Sequence, residues 1–160
     1  FFMTWTLQGL WVSLCSMCAL TAISSDSGVV INALFYFGLG LFVLGFSTEI
    51  VADNQKSKFR SFPENRDKFI TTGLWAKSRH PNYFGEIVLW TGIATMSFSS
   101  LEGWQYLTLI SPIFTYILLV YVSGVRMLEA RADKKWGDDE DYIKYKSETP
   151  VLWLNLIGNK

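Results

Sequence analysis

Gly28-Val29-Val30-Ile31-Asn32-Ala33-Leu34-Phe35-Tyr36-Phe37-Gly38-Leu39-Gly40-Leu41-Phe42-Val43-Leu44-Gly45-Phe46-Ser47 carries no Asp, Glu, Lys or Arg. About 20 apolar residues are enough for a helix to cross the hydrocarbon layer of a bilayer. Three other stretches have the same character. Phe1 to Ile23 is apolar apart from Gln8 and some hydroxyls, Tyr83 to Ser100 holds only Glu86, and Trp104 to Val125 again has no charge. In 160 residues, half of them hydrophobic, this clustering predicts one all-α domain. It is expected to be a polytopic membrane bundle with four transmembrane helices, over residues 3–23, 28–48, 82–100 and 104–125.

The net charge of +0 hides an asymmetry. Every Lys and Arg lies between Glu49 and Asn82 or after Val125, and the turns at Ser24–Ser27 and Ser99–Gly103 have none. Four spans would put both basic regions on one side. The positive-inside tendency then makes the loop 49–82 and the C-terminal tail cytoplasmic. The chain opens with Phe1-Phe2, already apolar and without an initiator Met, so further residues are expected upstream.

Gly73-Leu74-Trp75-Ala76-Lys77-Ser78-Arg79-His80-Pro81-Asn82-Tyr83-Phe84-Gly85-Glu86 places the only histidine, two cations, an amide, a phenol and a carboxylate at the mouth of an apolar segment. Polar groups there are costly unless they bind something. Pro81 suits the first turn of a helix, where its missing N–H has no intrahelical partner. The helix start beside Arg79 and His80 favours an anion such as phosphate or carboxylate. Asn82 and Glu86 share a face, so Glu86 sits one turn deeper.

The second span is expected to continue as a helix through Arg60, which puts Glu49, Asp53, Lys56 and Arg60 on one stripe. That stripe is either a solvated face tied by ion pairs or a nucleotide surface, with a carboxylate for a ribose and an arginine for a phosphate. Arg126 and Glu129 follow the last span one turn apart. Tyr142 and Tyr145 share a face after the acidic turn Trp136–Asp141, and Val151 to Ile157 are expected to lie against the membrane surface. Gly38, Gly40 and Gly45 suit close helix packing. Cys15 and Cys18 read as lipid- or core-facing, because no further thiol or second histidine completes a metal site. A Gly-rich phosphate loop, a hydrolase triad and a basic patch of nucleic-acid size are absent from the sequence.

Glu49-x-x-x-Asp53-x-Gln55-Lys56-x-x-Phe59-Arg60, the Gly73–Glu86 stretch, Val122-Ser123-Gly124-Val125 with Leu128-Glu129, and Tyr142-x-x-Tyr145 closely resemble the C-terminal domain of the steroid 5-alpha-reductase superfamily, in its microbial and algal branch. The resemblance implies a polytopic membrane enzyme that uses NADPH to reduce an activated carbon–carbon double bond of a lipid or sterol-like substrate. It assigns Asp53 and Arg60 to the adenosine and phosphate end of NADPH, and Asn82 and Glu86 to the nicotinamide end. Arg79, His80, Arg126, Glu129, Tyr142 and Tyr145 are its further cofactor-binding candidates. Two positions depart from the family pattern: Ala130 stands where steroid reductases carry His, and Arg126 where microbial relatives usually carry Pro.

Hydride delivery to an enone requires a hydrogen-bond donor or acid at the carbonyl oxygen. Glu86, in apolar surroundings, and Tyr83 are the catalytic candidates. The same Arg79-His80-Pro81-Asn82-Tyr83-Phe84-Gly85 core is similar to that of isoprenylcysteine and phospholipid methyltransferases, which implies S-adenosylmethionine as the alternative cofactor. A third possibility is a non-catalytic accessory subunit whose apolar faces meet other helices of a larger membrane complex.

Overall fold

The computed structural model describes residues 2–26 and 28–155, and no strand occurs among them. The helices are α1 (Phe2–Ser24), α2 (Ala33–Ser61), α3 (Pro81–Ser97), α4 (Ile110–Ile117), α5 (Val125–Trp136) and α6 (Glu140–Glu148). Short 3-10 turns cover Pro63–Asn65, Gly73–Ala76, Phe98–Ser100 and Gly103–Leu109, and a π-helical turn covers Leu118–Val122.

Three helical stretches among the described residues, not the four expected, are long and apolar enough to cross a membrane: Trp5–Ser24, Ala33–Ser61 and Gly103–Trp136. The expected span 82–100 is not among them: the helical run of α3 and the 3-10 turn after it is long enough, but Asn82, Glu86 and the hydroxyls of Thr91, Thr95 and Ser97 make it less apolar than the other three. The last helical stretch runs past the expected 104–125 to Trp136, but that extension is the charged segment Val125–Trp136 and is not apolar. It also changes winding on the way, from 3-10 to α to π, before a break at Gly124 starts α5.

The chain forms two compact units. The first joins Phe1–Gly45 to Ile87–Leu118. Asn32 begins α2 by accepting from Phe35 N–H at 3.0 Å, a side-chain N-cap. Its amide also donates to Ser99 Oγ at 2.9 Å, and Val30 N–H to Ser100 Oγ at 2.8 Å, which fastens the end of α3 to the start of α2. Gly38 and Gly92 let these two helices meet backbone to backbone. A Cβ on Gly92 would stand 2.5 Å from Phe42 N and 2.7 Å from Gly38 O. Gly40, by contrast, faces open space.

Polar hydroxyls hold α1 to α4: Ser111 Oγ donates to Cys15 C=O, and Cys15 Sγ lies 3.3 Å from Thr115 Oγ1. Both cysteines are buried, which makes them core rather than lipid-facing. Leu7, Leu10, Leu20 and Ile23 of α1 stay exposed, as do Phe37, Val43 and Leu44 of α2. So extensive an apolar surface is costly in water and is suited to lipid.

The second unit joins Phe46–Glu86 to Leu119–Lys160. It holds the last turns of α2, the loop to α3, α5, α6 and the tail through Asn155. As the sequence predicts, α2 continues to Ser61 and α3 begins at Pro81. Asp139 caps α6 by accepting from Asp141 and Tyr142 N–H.

Candidate functional site

The loop before α3 is tied to α2 by groups that only this turn can present. Gly73 has φ +64°, and a Cβ there would lie 2.5 Å from the Gln55 carboxamide oxygen. The turn lets Leu74 N–H donate to that oxygen at 2.9 Å, and Trp75 Nε1–H to Ala52 C=O at 3.0 Å. Trp75 is thereby buried against α2, with the Lys56 ammonium 4.9 Å from the centre of its ring. From the other side, Tyr145 OH donates to Trp75 C=O at 2.7 Å.

The tail binds the next residues. Arg79 N–H donates to Pro150 C=O and Asn155 N–H to Lys77 C=O, each at 2.9 Å. The fully buried Ser78 Oγ donates to Leu152 C=O at 3.0 Å and accepts from His80 N–H at 3.2 Å. Val151 and Asn155 therefore run along the loop, and residues 156–157 of the expected surface segment lie outside the described residues.

These restraints hold Arg79 and His80 over α5. Arg79 Nη1 pairs with Glu129 Oε2, and His80 Nε2 lies 2.9 Å from Glu129 Oε1. Lys146 Nζ is 3.8 Å from the same carboxylate and 2.5 Å from Asp133, which also accepts from Tyr142 OH at 2.9 Å. The Arg79 side chain is only 11% exposed, and its buried Nε–H has no partner among the described residues. An orphaned buried donor of this kind marks a place for an acceptor from outside the chain.

A cavity of about 140 Å³ opens beside this cluster. Lys56, Arg60, Lys68 and Arg79 bring four cations to it, Glu129 one carboxylate, and Phe59, Phe69, Trp75, Trp136, Tyr142 and Tyr145 its rings. Phe69 gathers three of these, with ring centres 5.3 Å from Tyr142, 5.7 Å from Tyr145 and 5.8 Å from Trp136. Burial and then the hydrogen bond to Asp133 push the Tyr142 phenol far above its ordinary range. Burial does the same to Tyr145 against the opposing pull of Arg79. Both hydroxyls therefore remain donors at neutral pH. Cations and aromatic faces together suit an anionic ligand with a planar ring.

Of the residues singled out in the sequence, Arg60, Arg79, His80, Glu129, Tyr142 and Tyr145 line this one cavity. Asp53, Asn82, Tyr83, Glu86 and Arg126 do not line it. Asp53 and Arg126 are exposed, while Asn82, Tyr83 and Glu86 are half-buried on the first turns of α3. Tyr83 stacks on the His80 ring, 5.7 Å between centres and 11° between planes. Glu86 and Asp53 both lie near enough to act electrostatically on its phenol. His80 thus both lines the cavity and stacks on Tyr83. Sequence reasoning missed Lys68, Phe69, Trp75 and Trp136 as lining residues; the only signal was an aromatic next to a cation at Lys68-Phe69 and at Lys135-Trp136, and Trp75 carried none. Among the described residues no ion pair zips the Glu49-to-Arg60 stripe.

Residues 1–149 match the family described as "Protein of unknown function (DUF1295)", the steroid 5-alpha-reductase-like C-terminal domain. The chain belongs to the DUF1295 family. This DUF1295 chain is 30% identical over 114 residues to the 3-oxo-5-alpha-steroid 4-dehydrogenase 1 of Bos taurus, covering 70% of the chain and 39% of that protein. It is 35% identical over 122 residues to the Delta(14)-sterol reductase of Ascobolus immersus, covering 67% and 26%. A protein of Ustilaginoidea virens named "Probable O-methyltransferase ustE" is 32% identical over 114 residues, covering 62% and 40%. The DUF1295 chain therefore spans well under half the length of these relatives. No solved structure matches it significantly. Its helices of membrane-spanning length, together with these relatives, mark it as an integral membrane protein.

Proposed function

We propose that the chain is the cofactor-holding part of a membrane-embedded, NADPH-dependent reductase acting on an activated carbon–carbon double bond of a lipid or sterol-like substrate. The observation that carries this reading is the cavity, where four cations and a buried unpartnered guanidinium N–H surround aromatic faces. Its donor set fits a phosphorylated adenosine: Arg60, Lys56, Lys68 and Arg79 for phosphate oxygens, and the rings of Phe69, Trp75 and Trp136 for the base. NADPH, when bound, would supply the reducing equivalents. The chain's own residues orient it and supply the proton.

For that proton the candidates are Tyr83 and Glu86, with Asn82 beside them. Tyr83 stacks on His80, a residue of the cavity lining, which suits a ligand with its adenosine among the cations and its other end towards α3. Glu86 sits one turn from Asn82 at the start of an apolar helix, where a carboxyl group can serve as acid or fix the phenol beside it. The basic loop 49–82 and the tail share one side in this reading, because Arg79 and His80 pair with Glu129 and Asn155 bonds Lys77. That juxtaposition replaces the parity argument from four spans. Their cations put that side in the cytoplasm.

A second reading is an S-adenosylmethionine-dependent membrane methyltransferase, favoured by the likeness to the fungal protein named as an O-methyltransferase. S-Adenosylmethionine carries one carboxylate and no phosphate, so it would engage fewer of the four cations of the cavity than a phosphorylated cofactor would. Titrating detergent-purified protein with NADPH and with S-adenosylmethionine separates the two. Binding of NADPH alone supports the reductase, and binding of S-adenosylmethionine alone overturns it.

A further inference from the structure

Arg79 and His80 both line the cavity, yet the two oxygens of Glu129 already engage both. We propose that Glu129 is a resident counter-anion, which a phosphoryl group entering the cavity must displace from Arg79 and His80. The inference rests on the nucleotide reading above and adds the determinant of how tightly, and for which ligands, the site closes.

Three observations support it. Arg79 and Glu129 both line the cavity, so the ion pair stands where the ligand would be, not behind it. The pair is mostly withdrawn from water, with side-chain exposures of 11% for Arg79 and 20% for Glu129. Leaving either charge uncompensated there is costly, so a resting partner is required. A second seat for the displaced carboxylate also exists. Lys146 Nζ lies 3.8 Å from Glu129 Oε2, does not line the cavity, and reaches it with a small rotation. Exchange of partners then keeps every charge paired: the phosphoryl group takes Arg79 and His80, and Glu129 moves towards Lys146, which Asp133 already steadies. A ligand without a phosphate cannot drive this exchange, so Glu129 selects against uncharged adenosine.

The test measures binding of inorganic pyrophosphate and of NADPH to the detergent-purified chain by calorimetry, with thermal melts to show that each variant is folded. Glu129→Gln is expected to bind pyrophosphate about tenfold more tightly than the native protein, since the ligand no longer competes with a carboxylate. Lys146→Met is expected to weaken it several-fold, and this effect should vanish in the Glu129→Gln background, because Lys146 acts only by receiving the displaced carboxylate. Unchanged or weaker pyrophosphate binding by Glu129→Gln overturns the proposal. So does a Lys146→Met effect of equal size in both backgrounds, which would mean that Lys146 attracts the ligand directly. If Glu129→Gln does not fold, Lys146→Met alone decides: weaker pyrophosphate with unchanged adenosine binding supports the exchange, and no change overturns it. NADPH binding by the native protein that weakens in Glu129→Gln overturns the counter-anion alone. Failure of both ligands to bind native and variant proteins overturns the nucleotide reading with it.

Discussion

Trp75 Nε1–H donates to the main-chain carbonyl of Ala52 across 3.0 Å, from the loop before α3 to the membrane-long helix α2. The bond is buried, and it fixes the indole under Lys56 and over the cavity. Trp75→Phe keeps an aromatic face but loses the donor, so it is expected to cost about 1 kcal/mol of stability. The accompanying shift of Lys56 should weaken binding of anionic ligands. Thermal melts in detergent and NADPH titration read the two effects separately, and a Trp75→Phe protein matching the native one in both would remove the role assigned to that bond.

Gly92→Ala tests the seam of the first unit. The new methyl group would meet backbone of α2, at Phe42 N and Gly38 O, and backbone cannot step aside as a side chain can. The expected result is a loss of roughly 1–3 kcal/mol from overpacking, seen as a lower melting temperature. Gly40→Ala, where nothing lies within 4 Å, is the control and should be neutral or slightly stabilising.

Glu86→Gln and Tyr83→Phe separate proton supply from cofactor holding. Neither residue lines the cavity, so both variants should bind NADPH with affinity close to native. Turnover of an enone lipid by the complete protein should fall by about 100-fold or more for the residue that serves as acid. Full turnover in both variants would exclude them from the chemistry.

Alkaline stability should report on Tyr142. Its folded-state phenol titrates well above the ordinary value of about 10, first from burial and then from the bond to Asp133. The stabilisation this represents is complete below pH about 10 and is lost as pH rises through the window above it, since the unfolded phenol ionises first. Tyr142→Phe should therefore lower stability at neutral pH by removing the Asp133 bond, yet decline less between pH 8 and pH 11. Paired melts across that range measure the difference, and parallel curves would contradict it.

Much of the local structure was legible because it depends on neighbours in the chain. The uncharged run from Gly28 to Ser47 announced α2, and Pro81 announced the start of α3, since each effect acts within a turn or two of helix. The count of spans was not legible in the same way. A near-absence of charge made Tyr83 to Ser100 look like the other spans, whereas the adjoining Asn82, Glu86 and its hydroxyls leave it less apolar than they are.

The sequence by itself determined an all-helical membrane chain and the family to which it belongs, and it raised the expectation of an anion beside Arg79 and His80. These follow from composition and short motifs. Only the tertiary structure decided which charged and aromatic groups share one cavity. Lys68, Phe69 and Trp136 join Arg60, Arg79 and Glu129 there, while Asp53 and Arg126, equally charged and equally near in the chain, turn outwards. The physical reason is that a side chain's partner across 50 residues, as Arg79 finds Glu129, is set by how helices are tied together through Ala52, Pro150 and Leu152. No periodicity encodes those ties, because each is made by a main-chain carbonyl that every residue possesses.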